Sequence, residues 1–132
     1  MYGQILQAVK TLAVSYATPY TAIDHGAMPE KNGLAIYPGP GYETERYFDR
    51  GGLYEMSIVL NGKHSNLQTL LTALSNIHQK LTLKTEYPES ADWQILDIRT
   101  SSSPNYLDRE QSDTRQWLYG SILAVKFYVK GV

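Results

Sequence analysis

The sequence predicts an α+β fold, an antiparallel or mixed sheet of four to five strands with two helices packed on one side. Three observations carry this. Gly52 to Leu60 alternates, with Tyr54, Met56, Ile58 and Leu60 on one face and Leu53, Glu55, Ser57 and Val59 on the other, the period of a half-buried strand. Leu67, Leu70, Leu71, Leu74, Ile77 and Leu81 recur at helical spacing and form one apolar stripe. Gln116 to Val129 is apolar on both faces, the pattern of a strand that is central or doubly covered. At 132 residues the chain reads as one domain.

In chain order, Tyr2 to Tyr16 forms a first helix, with Ile5, Val9, Leu12, Ala13 and Tyr16 on one face. Pro19 blocks its continuation, and residues 19 to 32 read as an irregular connection. Gly33 to Tyr37 is a short apolar strand. It runs into Pro38-Gly39-Pro40-Gly41, where prolines remove ladder donors and glycines permit a bend. Tyr42 to Phe48 is a polar strand suited to a sheet edge or a subunit contact, and Asp49-Arg50-Gly51-Gly52 turns the chain back into the central strand. These segments read as an antiparallel hairpin.

Asn61-Gly62 is expected to end the central strand in a sharp turn, because both residues tolerate positive φ. Ser65, with Gln68 three residues on, has the spacing of a capping box for the second helix. Lys84 to Asp92 is a polar loop broken at Pro88, and Trp93 to Thr100 is the next strand. Ser101 to Arg115 reads as a long polar connection, mobile or ordered by a partner. No internal repeat or low-complexity tract is evident.

Composition narrows the function classes. The chain is 42% apolar and 19% charged, ordinary values for a globular protein. With 12 basic and 13 acidic side chains, the formal net charge is −1, which gives duplex binding no support. There is no cysteine, so disulfides, thiolate metal sites and a cysteine nucleophile are excluded. The first residues lack the pattern of a secretory signal, and no window approaches the ~20 apolar residues of a membrane span. The expectation is a soluble protein that works or is assembled inside a cell. Eleven tyrosines supply stiff amphipathic area that suits protein interfaces, although strands also favour tyrosine.

Catalytic constellations are thin. His64 beside Ser65 and Asp24 beside His25 are sequence neighbours, which rarely aim side chains at each other, and neither has a nucleophile elbow. Ser65 is better explained as a cap. The histidines at 25, 64 and 78 have no metal-ligand spacing, and His78 reads as solvated or half-buried. Glu43, Glu45, Asp49, Glu55 and Asp97 could approach across strands and hold Mg²⁺, with Glu43 and Glu45 turned the same way by alternation. An acidic solvated edge is the simpler account. Gly62-Lys63-His64-Ser65 before a helix has a trace of a phosphate turn without its full spacing. Arg46-Tyr47-Phe48 and Lys126-Phe127-Tyr128 interleave basic and aromatic residues, but without surrounding positive charge they make single-strand binding a minor option.

Laid end to end, GLAIYPGPG, GGLYEMSIVLNGK, the leucine-striped helix, ADWQILDIRTSSSPNYLDRE and WLYGSILAVKFYVKG resemble the small minor capsid or tail-terminator proteins of siphophages of Gram-positive bacteria. The likeness covers roughly residues 33 to 131. It rests on the Pro38-Gly39 turn, Leu60-Asn61-Gly62-Lys63, Trp93-Gln94-Ile95, Pro104 with Tyr106, and Tyr119 with Val125-Lys126-Phe127-Tyr128.

The resemblance implies a non-enzymatic, tail-terminator-like subunit without cofactor or metal. Such a subunit forms a homo-oligomeric ring, commonly hexameric, on the end of the tail tube. Its expected partners are the tail-tube and head-connector proteins, and DNA passes through the ring without sequence-specific binding. The expected place is the virion head–tail junction, with assembly in the host cytoplasm; a head-closure subunit would share this chemistry. A ring needs a heterologous contact. On that reading Tyr42, Arg46, Tyr47 and Phe48 meet a neighbour's sheet or its loop around Tyr106 and Arg109. Lys84, Glu86, Tyr87 and Glu89 in one loop, and Asp108 and Glu110 in the other, are the expected partner contacts. The alternative is a small phage-encoded Mg-dependent nucleic-acid-processing enzyme using the edge carboxylates.

Overall fold

The computed structural model describes residues 2–16, 20–26, 31–47, 51–83, 87–111 and 115–131, without the side chain of residue 16. The elements are α1 (Tyr2–Tyr16), β1 (Ile23–His25), β2 (Leu34–Arg46), β3 (Gly52–His64), α2 (Leu67–Thr82), β4 (Trp93–Arg109) and β5 (Trp117–Val129). The strands form one sheet in the order β1-β2-β3-β5-β4. β1 runs parallel to β2 and every other pair is antiparallel, so the sheet is mixed and the α+β class holds.

The alternation of β3 decides where the core lies. Met56, Ile58 and Leu60 are fully buried and face the same way as Leu123, Val125 and Phe127 of β5. Over them lie Leu70, Leu74, Ile77 and Leu81 of α2 and Ile5, Val9 and Ala13 of α1, all in one cluster. α2 rests on β3, β4 and β5, while α1 leans on α2 and β2. Each of these large aliphatic side chains contributes roughly 1.5–3 kcal/mol by leaving water. The opposite face, with Leu53, Glu55, Ser57 and Val59 of β3 and Ile122 and Ala124 of β5, is only half-buried. β5 is therefore central by position, between β3 and β4, but helices cover only one of its faces.

Several expected boundaries move. Asn61-Gly62 is not a turn, because β3 continues to His64 and pairs with β5 throughout. Gly62 serves close packing instead: a Cβ there would stand 2.7 Å from Leu70 Cδ1 and 2.9 Å from Leu34 Cδ2. The helix cap is Asn66 rather than Ser65, its side-chain oxygen accepting from the Thr69 amide at 3.0 Å. Ser65 donates its own amide to Asn32 Oδ1 at 3.3 Å.

Pro38-Gly39-Pro40-Gly41 does not divide two strands either. β2 runs through it, with the register against β3 slipping between Pro38 and Gly41. Past Ile36 no described strand pairs with the outer side of β2, so the missing proline donors cost little there. Gly41 lets the Tyr2 ring approach, since a Cβ would lie 3.0 Å from it. The connection read across residues 19–32 contains β1, too short for a period to show, which pairs Ile23 with Leu34.

The largest correction concerns residues 101–115. Ser101 to Arg109 is not a free connection but the second half of β4, which pairs with β5 as far as Arg109↔Trp117. β4 has 17 residues and the β5 segment opposite has 13; four register shifts absorb the difference. Each shift is a bulge that costs ladder regularity without ending the strand. Serine and proline read as a break in the sequence are tolerated because β4 is the sheet's outer strand.

Candidate assembly surfaces

Large apolar side chains left exposed are concentrated on the two edge strands. β2 and its end carry Tyr42, 56% exposed, and Tyr47, 40% exposed; β4 carries Leu96, Tyr106 and Leu107, the last two 54% and 49% exposed. Val14 and Leu83, at the ends of the helices, complete the set among the described residues.

At the β2 corner, Tyr42 donates its hydroxyl to Glu55 Oε2 at 2.6 Å, and that bond pushes the phenol pKa up. Arg46 pairs with Glu43 at 3.0 Å, and Tyr54 donates to the same carboxylate at 3.2 Å. The Arg46 hydrogen bond, followed by that from Tyr54, holds the Glu43 carboxyl below its usual range. The Tyr47 ring leans on Tyr128 with centroids 6.2 Å apart, and its hydroxyl lies 3.4 Å from Glu45 Oε2.

A bulge between Glu43 and Glu45 sets their directions. Glu43 pairs with Tyr54 and Glu45 with Leu53, consecutive residues of β3 that face opposite sides of the sheet. The two carboxylates expected to point the same way are therefore separated by the sheet itself, and the acidic pair proposed for Mg²⁺ does not form. Asp97 pairs with Arg99 at 2.6 Å, while Asp49 lies outside the described residues. Among the described residues no three metal-ligating side chains come together.

The β4 corner is aromatic and basic. Tyr106 sets its ring edge-on to Trp117 at 6.4 Å and to Tyr119 at 5.8 Å. The Arg109 guanidinium stands 4.2 Å over the Trp117 ring, a cation–π contact. Leu107 lies against Gly120, where a Cβ would come within 2.9 Å of its Cδ1. Arg109, Glu110, Gln111 and Arg115 line a polar notch of about 310 Å³. Glu110 holds Lys63, itself buried, at 3.3 Å. That pairing commits the lysine of the Gly62-Lys63-His64-Ser65 stretch to the fold. His64 accepts the Asn66 amide on Nδ1 and packs edge-on against Tyr20, so it is not aimed at the Ser65 hydroxyl.

The two corners lie diagonally across the sheet. Arg46 pairs with Gly52, which pairs with Val129, whereas Arg109 pairs with Trp117, which pairs with His64. β3 and β5 stand between β2 and β4, a spacing of roughly 14 Å at ~4.8 Å per strand. Along the strands the offset is roughly 25–40 Å at ~3.3 Å per residue. The Tyr42–Tyr47 and Tyr106–Arg109 groups cannot meet within one chain.

Of the expected partner contacts, Tyr87 is half-buried and donates to the Leu81 carbonyl at 2.9 Å, finishing the end of α2. Glu89 is exposed and bridges to Gln94. Asp108 accepts the Arg109 amide at 2.8 Å. Phe48, Lys84 and Glu86 lie outside the described residues.

Sequence reasoning misplaced His78. It is 5% exposed, its Nε2 is 2.7 Å from Thr100 Oγ1, and its Nδ1 is buried without a partner. Burial pushes its pKa down. Its position one residue after Ile77 on the striped helix was the available signal.

No protein-family model matches the sequence, and no curated protein sequence matches it significantly. A solved structure does share the fold. A chain in the virion of a native gene transfer agent particle aligns with a TM-score of 0.59 at 10% identity, over 92% of this chain and 96% of that one.

Proposed function

We propose that this chain is a structural subunit of a phage-like virion, a tail terminator or head–tail joining protein that assembles as a ring, commonly hexameric, at the head–tail junction. One observation carries the reading: the fold recurs, over nearly the full length of both chains, in a chain of a virion particle. The exposed corners add to it. A ring of identical subunits needs two different patches that meet between copies, and Tyr42, Arg46 and Tyr47 lie diagonally opposite Tyr106 and Arg109.

On this reading the remaining partners are a tail-tube protein and a head-connector protein, met through residues such as Glu89, Asp108 and Glu110. DNA passes through the ring without being read, and assembly takes place in the host cytoplasm before the subunit joins the virion. The test is native mass spectrometry of the purified chain across protein concentration, with negative-stain imaging of the largest species. Closed rings are expected, six subunits being the first mass to look for. A chain that stays monomeric at every concentration, alone and with a tail-tube protein, overturns the reading.

A further inference from the structure

The polar corner of β2 and the notch at the end of β4 are complementary in charge. On one face of the first stand Glu45 and Glu55, with Lys126 across from Glu55; Glu43, paired with Arg46, lies on the other face. Arg109 and Arg115 line the second, where the Glu110 carboxylate is held by Lys63. Arg46 is already bound to Glu43 and Arg99 to Asp97. Among the described residues Glu45 has no cationic partner, and neither Arg109 nor Arg115 has a carboxylate within ion-pair distance. The Arg109 guanidinium is already held over the Trp117 ring, so an approaching carboxylate finds it ordered.

The edges themselves discourage simple strand addition. Pro38 and Pro40 with two register slips mark β2, and Pro104 with four slips marks β4. Side chains, not a continued backbone ladder, are left to join the copies. Apolar area flanks both charged groups: Tyr42 and Tyr47 on one side, Tyr106 and Leu107 on the other.

We infer that the Glu45 carboxylate of one copy seats in the Arg109–Arg115 notch of the next, making a head-to-tail contact between copies of this chain. This rests on the ring reading and specifies its charge pairing. It moves the ionic role from Arg46, which is occupied within its own chain, to Glu45.

Charge-reversal variants made separately and then mixed test it. Glu45→Arg keeps an intact notch, and Arg109→Glu keeps an intact acidic corner. Each variant alone faces like charge with like charge, and its half-assembly concentration should rise at least about tenfold. Mixed one to one, they should regain assembly, with species containing both masses in native mass spectra. Assembly of the wild type should also weaken as salt is raised.

Far-UV circular dichroism confirms folding. Glu45→Gln and Arg109→Gln, which remove the charge without reversing it, carry the same comparison if a reversal impairs the fold. Wild-type assembly that neither variant disturbs, or singles that the mixture does not rescue, overturns this contact and leaves the ring reading standing. A wild type that never assembles overturns both.

Discussion

His78 and Thr100 meet at 2.7 Å between Nε2 and Oγ1, tying the buried face of α2 to the middle of β4. A neutral imidazole fits this place, because the other ring nitrogen is buried with nothing to receive a second proton. Burial lowers the folded-state pKa below the ordinary histidine value of about 6.5. Below that value the unfolded chain binds more protons than the folded one, so stability falls as pH drops from about 6.5 through the folded pKa. Thermal melts between pH 8 and pH 5 should show this loss, and His78→Gln should flatten the slope. An equal slope in both proteins would show that the titration lies elsewhere.

The cap of α2 separates two adjacent residues. Asn66→Ala removes the acceptor of the Thr69 amide and should cost about 1 kcal/mol in urea unfolding. Ser65→Ala should cost less than about 0.5 kcal/mol, because the capping bond is not made by its side chain.

Gly62→Ala places a methyl group against Leu70 and Leu34 at the centre of the core. A destabilisation of about 1–3 kcal/mol is expected from overpacking, measured by the same unfolding titration. A neutral result would mean that α2 can shift away from β3 freely.

Incubation with branched and linear DNA in the presence of Mg²⁺ should leave the DNA intact, because Glu43 and Glu45 face opposite sides of the sheet. Cleavage that disappears in Glu43→Gln or Glu45→Gln would contradict the structural role proposed here.

Both helices were legible in the sequence because a stripe of aliphatics every three or four residues has one economical solution, burial against a sheet. α1 begins and ends where the period from Ile5 to Ala13 and the block at Pro19 place it. The alternating strands, β3 and β5, were equally plain. What misled were residues whose local preference is for turns. Asn61-Gly62, Pro38 to Gly41 and Ser101 to Pro104 all read as breaks, yet each lies inside a strand. Edge position and bulges excuse the missing proline donors, close packing of Gly62 keeps Asn61-Gly62 in the central ladder, and none of these is written in local composition. At the candidate surfaces, the polar, aromatic character of Tyr42 to Tyr47 was readable as an edge. Its diagonal relation to Arg109 was not, since that depends on β5 inserting between β3 and β4.

The stutters of β4 have an evolutionary corollary. A perimeter strand already holding four supernumerary residues works like an expansion joint: deleting Leu96, Ser101 or Leu107, each beside a slip, is expected to be taken up locally. The β3–β5 ladder, which runs residue for residue from Gly52↔Val129 to His64↔Trp117, would keep its alignment with the helices. Chain length can therefore drift along this border while the architecture stays recognisable, so homologues should be sought by shape before they are sought by letters.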